Sequence, residues 1–130
     1  MILLDTHVVL WLALDPLKIS KKARSAIEEA RQSGEGLAIS DISLLEITNL
    51  ERKRRITLRG TLETFLTEIE SRFVVLPLTA RICVRAASLP AAYPNDPADR
   101  VIGATTLVEG IPLVTADEAI RRTRALPTIW

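Results

Sequence analysis

Apolar residues along this chain fall into short solid blocks separated by stretches of helical period. Ile2-Leu3-Leu4, Leu37-Ala38-Ile39, Phe73-Val74-Val75-Leu76 and Pro112-Leu113-Val114-Thr115 are runs of three or four, the length of strands buried on both faces. Between the first two, residues 7–14 are apolar all round, which predicts a buried helix ended by Asp15-Pro16. Ser20 then opens a helix to about residue 33, with Ala23, Ala26, Ile27 and Ala30 at i, i+3, i+4, i+7 and Gly34 and Gly36 as the stop. Further helices are expected at about 41–53, 62–69, 79–88, 98–109 and 117–122, with a loop at 89–97 and an edge strand at Thr128-Ile129-Trp130.

Short apolar strands alternating with helices need crossover connections. The pattern therefore predicts a three-layer α/β/α domain with a central, mainly parallel sheet of four or five strands. A chain of 130 residues buries roughly two-thirds of its unfolded surface, enough for one core and too little for two domains, so residues 1–130 are expected to form a single domain. Asp5, His7 and Asp15 break the apolar start before it could span a membrane, and no basic segment precedes it as in a secretory signal. The single cysteine, Cys83, excludes an internal disulfide and reads as a small buried side chain, and a reducing cytoplasm is the expected location. A net charge of +1 offers nucleic acid no global attraction, so any such attraction must come from local segregation of charge.

The acids are segregated. Asp5 follows the first strand, Glu46 the second and Asp117 the fourth, while Asp99 sits in the first turn of the helix leading to the fourth. In a parallel sheet all strand C-termini share one edge, where such folds bind ligands, so these carboxylates can converge. Each also has a purely structural reading: Asp5 and Asp117 as helix caps, Ser43-x-x-Glu46 as a capping box, and Asp96-Pro97-Ala98-Asp99 as a cap, a first-turn proline and a third-position acid. Like charges brought close repel unless something positive stands among them. Lys and Arg are missing beside Asp5, Glu46 and Asp117, and Arg100 is the one exception, so a divalent cation is the natural counter-charge. An all-oxygen set suits Mg²⁺ or Mn²⁺ better than zinc.

Leu3-Leu4-Asp5-Thr6-His7, Ile39-Ser40 through Leu45-Glu46-Ile47, Asp96-Pro97-Ala98-Asp99-Arg100-Val101-Ile102-Gly103-Ala104 and Leu113-Val114-Thr115-Ala116-Asp117, in that order and spacing, resemble the PIN-domain nucleases. Within them the chain is most similar to the VapC-type toxin ribonucleases of toxin–antitoxin pairs. The resemblance implies a Mg²⁺- or Mn²⁺-dependent endoribonuclease whose acidic metal site comprises Asp5, Glu46, Asp99 and Asp117, with Asp5 and Asp99 foremost. Asp96 is implied as an outer ligand or only a cap. Thr6 and Thr115 match the family's small hydroxyl residues, which hold a water or a phosphate oxygen. The resemblance further implies products with a 5′-phosphate and a 3′-hydroxyl, a homodimer, and an antitoxin whose C-terminal segment fills an apolar groove and sends an Arg into the acidic site.

Setting the five acids aside leaves 17 bases against 11 acids, a net basic remainder. Arg52, Lys53, Arg54 and Arg55, with Arg59, follow the helix that bears Glu46, and Arg121, Arg122 and Arg124 follow Asp117. The first run reads either as an RNA-backbone contact or as compensation of a helix dipole at a solvated turn. His7, the only histidine, reads as a packed or capping residue. Trp11 and Leu12, with Leu62, Phe65, Leu66 and Ile69, offer apolar surface for a partner peptide. A phosphatase needing Asp-x-Asp after the first strand is disfavoured by Asp5-Thr6-His7, and a receiver domain by the missing acid pair and lysine. A PIN-type RNA-processing nuclease without an antitoxin, or a binding module whose acids are only caps, remain the competing readings.

Overall fold

The computed structural model describes residues 1–130. Its elements are β1 (Ile2–Leu4), α1 (Thr6–Leu14), α2 (Lys21–Gln32), β2 (Leu37–Ser40), α3 (Asp41–Arg52), α4 (Leu62–Arg72), β3 (Val74–Leu76), α5 (Ala80–Ala87), α6 (Pro97–Glu109), β4 (Leu113–Val114), α7 (Glu118–Thr123) and β5 (Thr128–Ile129). The five strands form one sheet in the order β3-β2-β1-β4-β5, and every pairing is parallel.

Side chains alternate across a strand, and here the alternation feeds two cores. Ile2, Leu4, Leu37, Ile39 and Val114 pack on one face with Val8 and Val9 of α1, Ile27 of α2, Ile47 of α3 and Ile69 of α4. Leu3, Ala38 and Leu113 point to the other face and meet Tyr93, Ile102 of α6 and Ile120 of α7. Leu3 and Leu4 are both wholly buried, each contributing about 1.5–3 kcal/mol. This is the three-layer arrangement expected from the sequence. Strand β1 is its centre.

The chain works outward from β1 to β2 and β3, then crosses back over the sheet to β4 and β5 on the other side. That reversal puts the topological switch point between β1 and β4, where the segments leaving the two strands diverge and open a crevice.

The caps explain the helix starts. Ser20, Ser40, Thr61 and Thr79 each accept a backbone N–H of the first turn, opening α2, α3, α4 and α5. Two expectations fail. Ser43 does not form a capping box with Glu46: Ser40 is the cap of α3, so Ser43 is already inside the helix and buried. Cys83 is exposed, because on the eight-residue α5 only Ile82 turns fully inward and Cys83 is about 100° around the helix from it. Helix α4 also runs past residue 69 to Arg72, its last turn being polar and solvent-facing. A 3-10 turn at Pro16–Lys18, not foreseen, follows the stop at Asp15.

Candidate active site

The crevice is built by two strand ends. Asp5 follows β1 and is nearly inaccessible, at 4% exposure. Its Oδ1 accepts the Thr6 N–H at 2.8 Å, capping α1, and its Oδ2 accepts the Thr115 hydroxyl at 2.7 Å. Thr115 follows β4, and the same hydroxyl oxygen accepts the Asp117 N–H at 3.1 Å. His7 completes the link, its Nε2 accepting the Ala116 N–H at 3.0 Å while Nδ1 stands 3.6 Å from Asp5 Oδ2. Residues 115–117 are thus clipped to the end of β1 by two side chains. Asp117 keeps its cap role as well, with Oδ1 accepting the Ile120 N–H.

The third wall is α3. Glu46 lies in its second turn and accepts the Thr6 hydroxyl, which also shares a hydrogen bond of 2.9 Å with Ser43. Glu46 therefore faces β1 rather than its own helix start. The fourth wall is the beginning of α6. Asp96 caps it by accepting the Asp99 N–H at 3.1 Å, which leaves Asp99, like Glu46, without a capping duty, its side chain making no hydrogen bond in the chain.

Arg100 is the one cation next to these acids in sequence, and it turns away. Its guanidinium donates to the carbonyls of Ala86, Leu89, Tyr93 and Pro94, tying the 89–97 loop to α6. No Lys or Arg pairs with Glu46, Asp96, Asp99 or Asp117.

The electrostatic consequence is visible at two of the acids. Burial first, then the negative charges of Asp5, Asp96, Glu46 and Asp117, push the Asp99 carboxyl from 3.8 up to about 7. Burial also raises Glu46, opposed by the Thr6 hydrogen bond and aided by Asp5 and Asp96. Five acids on one sheet edge thus repel with no protein cation among them, and a divalent ion would relieve exactly that kind of charge excess through an all-oxygen donor set. The residues fit such an ion. No three of them are drawn into a closed cage, and Mg²⁺ needs only one or two carboxylates beside its waters and a substrate phosphate.

The basic run lies at the far end of α3. Arg52 is in its last turn, Lys53 is its cap and Arg54 adopts the left-handed conformation at φ 57°, turning the chain so that all four side chains are exposed. Lys53 and Arg55 line a trough of about 440 Å³ that also contains Glu46 and Asp96, whereas Arg52 and Arg54 lie outside it. Beside α1 and α4, a small cleft of about 80 Å³ is lined by Val9, Leu12, Phe65, Ile69 and Phe73, with Arg31, Glu68 and Arg72 around it. Trp11, Leu62 and Leu66 are half-buried beside the same core but do not line that cleft.

Two residues carry more of the site than the sequence indicated, since His7 read only as a packed or capping residue and Tyr93 was not singled out. His7 is the brace described above, and its only sequence signal was a polar side chain in an otherwise apolar helix. Tyr93 is buried beneath α6, donating to the Asp99 carbonyl at 3.2 Å, and its ring occupies the space that a side chain at Gly103 would fill. Burial and the neighbouring acids raise the Tyr93 phenol well above its ordinary range, so it stays neutral.

Comparison with known proteins gives the family of this chain. The PIN domain family matches residues 2–126. Ribonuclease VapC22 of Mycobacterium tuberculosis is 35% identical over 131 residues, covering 99% of this chain and 98% of that protein. Among solved structures, VapBC2 from Rickettsia felis bound to a DNA fragment from their promoter shares the fold at a TM-score of 0.71, with 18% identity and 98% and 97% of the two chains covered. DNA-bound VapBC from Salmonella typhimurium does so at 0.70, with 21% identity and the same coverage. The chain belongs to the PIN-domain family and, within it, to the VapC group.

Proposed function

We propose that residues 1–130 work as one nuclease domain, a divalent-metal-dependent endoribonuclease that serves as the toxin of a toxin–antitoxin pair. One observation carries this reading: five acids meet at the switch point of a PIN-domain sheet with no protein cation to balance them, in a chain related to a VapC ribonuclease. Mg²⁺ or Mn²⁺, when bound, supplies an activated water and charge stabilisation on the attacking and leaving oxygens of the phosphodiester.

The chain's own residues do the rest. Asp99 and Asp5 hold the cation, with Glu46 and Asp117 completing the charge and Asp96 at its margin. Thr115 fixes Asp5 Oδ2 so that the carboxylate presents one orientation, and Thr6 does the same for Glu46. No side chain need act as nucleophile, and the expected products carry a 5′-phosphate and a 3′-hydroxyl. Lys53 and Arg55, flanked by Arg52 and Arg54, hold the RNA backbone beside the acids without reading sequence.

An active ribonuclease in the cytoplasm must be restrained. The cleft beside α1 and α4 fits apolar side chains of an antitoxin segment, whose Arg would place a guanidinium among the acids. A homodimer is the working assembly. No helix is long and apolar enough to cross a membrane.

Expression of the chain alone should arrest growth, and Asp99→Asn or co-expression of the adjacent small open reading frame should relieve the arrest. Harmless expression of folded wild-type protein would contradict the toxin role and favour an RNA-processing nuclease without an antitoxin.

A further inference from the structure

The trough between α3 and α6 holds more than a phosphate contact needs. On α3, Glu46, Asn49 and Lys53 follow one another at spacings of three and four residues, so they lie along one stripe of the helix and all three line the trough. From Glu46 to Lys53 the stripe runs about 10 Å along the helix axis. It begins at the acidic site and ends at a cation. Asn49 stands between them.

The remaining walls are apolar. Leu45 is 55% exposed, and together with Leu50 it gives the α3 side of the trough an oily surface. Pro97 and Ala98 give the α6 side the same character. A phosphate alone has no use for these walls, whereas a nucleobase does: its faces seek apolar contact and its edge seeks hydrogen bonds. A volume of about 440 Å³ lies within the range of small-ligand sites. Nearby on α3, the Thr48 hydroxyl is spent on the Leu44 carbonyl, but the Asn49 amide makes no hydrogen bond in the chain and keeps both donor and acceptor for a ligand.

We propose that this trough is a subsite for one unstacked nucleotide of the RNA strand, next to the scissile phosphate, with Asn49 reading the base edge and Lys53 and Arg55 holding its phosphate. The occupant follows from the sequence of chemistries along the stripe: a carboxylate at the reacting end, an amide between apolar walls, and cations at the other end. The inference rests on the ribonuclease reading and adds a base preference to it. Backbone contacts alone give none.

The test is cleavage, with Mg²⁺ present, of single-stranded RNA oligonucleotides that differ only in the base on either side of the cleaved bond. Wild-type protein, Asn49→Ala and the double variant Lys53→Gln/Arg55→Gln are compared by the ratio of kcat/KM between the best and worst base. Alanine favours helix, so Asn49→Ala keeps α3 intact. A preference at one flanking position in the wild type is expected, with the ratio falling at least about fivefold in Asn49→Ala, the scale of losing a paired base-edge contact. The double variant should lower all RNAs together and keep the ratio, with a shallower salt dependence. A ratio in Asn49→Ala equal to that of the wild type, or no base preference in the wild type, overturns the subsite while leaving the ribonuclease reading standing. No cleavage of any RNA by the wild type overturns both.

Discussion

His7 Nε2 accepts the backbone N–H of Ala116 at 3.0 Å, joining the first turn of α1 to the segment that leaves β4. A nitrogen that accepts carries no proton, so the neutral ring is protonated at Nδ1, on the side of Asp5 Oδ2. Trp11 packs against the ring edge at 4.9 Å, with Trp130 beyond it at 5.7 Å and the Lys18 ammonium over the Trp11 ring. The imidazole is held in place from both sides. It acts as a strut for the loop that carries Asp117, and neither nitrogen is free to serve as a general base.

Replacing His7 by leucine leaves the Ala116 N–H without its partner, which costs about 1–3 kcal/mol and loosens Asp117. We expect His7→Leu to lower kcat with a smaller change in KM, and His7→Gln, whose amide oxygen can reach the same N–H, to recover much of the loss. Steady-state cleavage kinetics of the two variants check this. Equal activity in His7→Leu and the wild type would remove the strut from the mechanism.

Asp99 makes the metal-free fold sensitive to pH. Unfolded, its carboxyl ionises near 3.8; folded, burial and the other acids hold the proton until about 7. Below the lower value both states are protonated and the stabilising proton is fully in place. As pH rises through the window the unfolded chain releases its proton first, so stability falls and is least above the folded value. Asp99→Asn should remove this slope, since no hydrogen bond to the carboxylate is lost. The proposed Mg²⁺ needs the ionised acids, so its binding should reverse the sign of the effect and raise Tm more at pH 8 than at pH 5. Thermal melts at both pH values, with and without the ion, decide it, and an equal increment at both would contradict the assignment.

Gly103 is needed for space. A Cβ there would lie 2.2 Å from the Tyr93 hydroxyl oxygen and 2.8 Å from the ring carbon that bears it. Tyr93 in turn supports the Asp99 carbonyl, so Gly103→Ala must push the ring and the start of α6 apart. Overpacking of this kind costs about 1–3 kcal/mol. Denaturant unfolding should show that loss, and the added variant Tyr93→Phe, which removes the hydroxyl contact and leaves only the one to the ring carbon, should recover part of it. A Gly103→Ala protein as stable as the wild type would contradict this packing.

The strands were legible because a strand buried on both faces can only be a solid apolar block, as at Ile2-Leu3-Leu4. Asp5, Asp96 and Asp117 were legible for two reasons at once, since each caps a helix at the sheet edge and also faces the crevice. Glu46 was found with the wrong neighbour: its Ser-x-x-Glu spacing suggested a cap, while its real partner, Thr6, is forty residues away and reached only through the β1–β2 pairing. Cys83 shows the converse limit, because apolar neighbours in sequence do not fix which side of a short helix faces in. The Arg100 contacts were equally out of reach. All four of its carbonyl partners belong to the end of α5 and the loop after it, whose path only the fold determines.

The proposed role of the uncompensated acids at the switch point, holding a cation for RNA cleavage, stands or falls on metal dependence. Purified wild-type protein is stripped with a chelator, then supplied with Mg²⁺ or Mn²⁺ and single-stranded RNA, beside Asp99→Asn treated identically and shown folded by circular dichroism. No cleavage by the stripped wild type, recovery on adding the ion, and no recovery in Asp99→Asn are expected. Cleavage that persists in the chelator, or full ion-dependent activity in Asp99→Asn, would contradict that role.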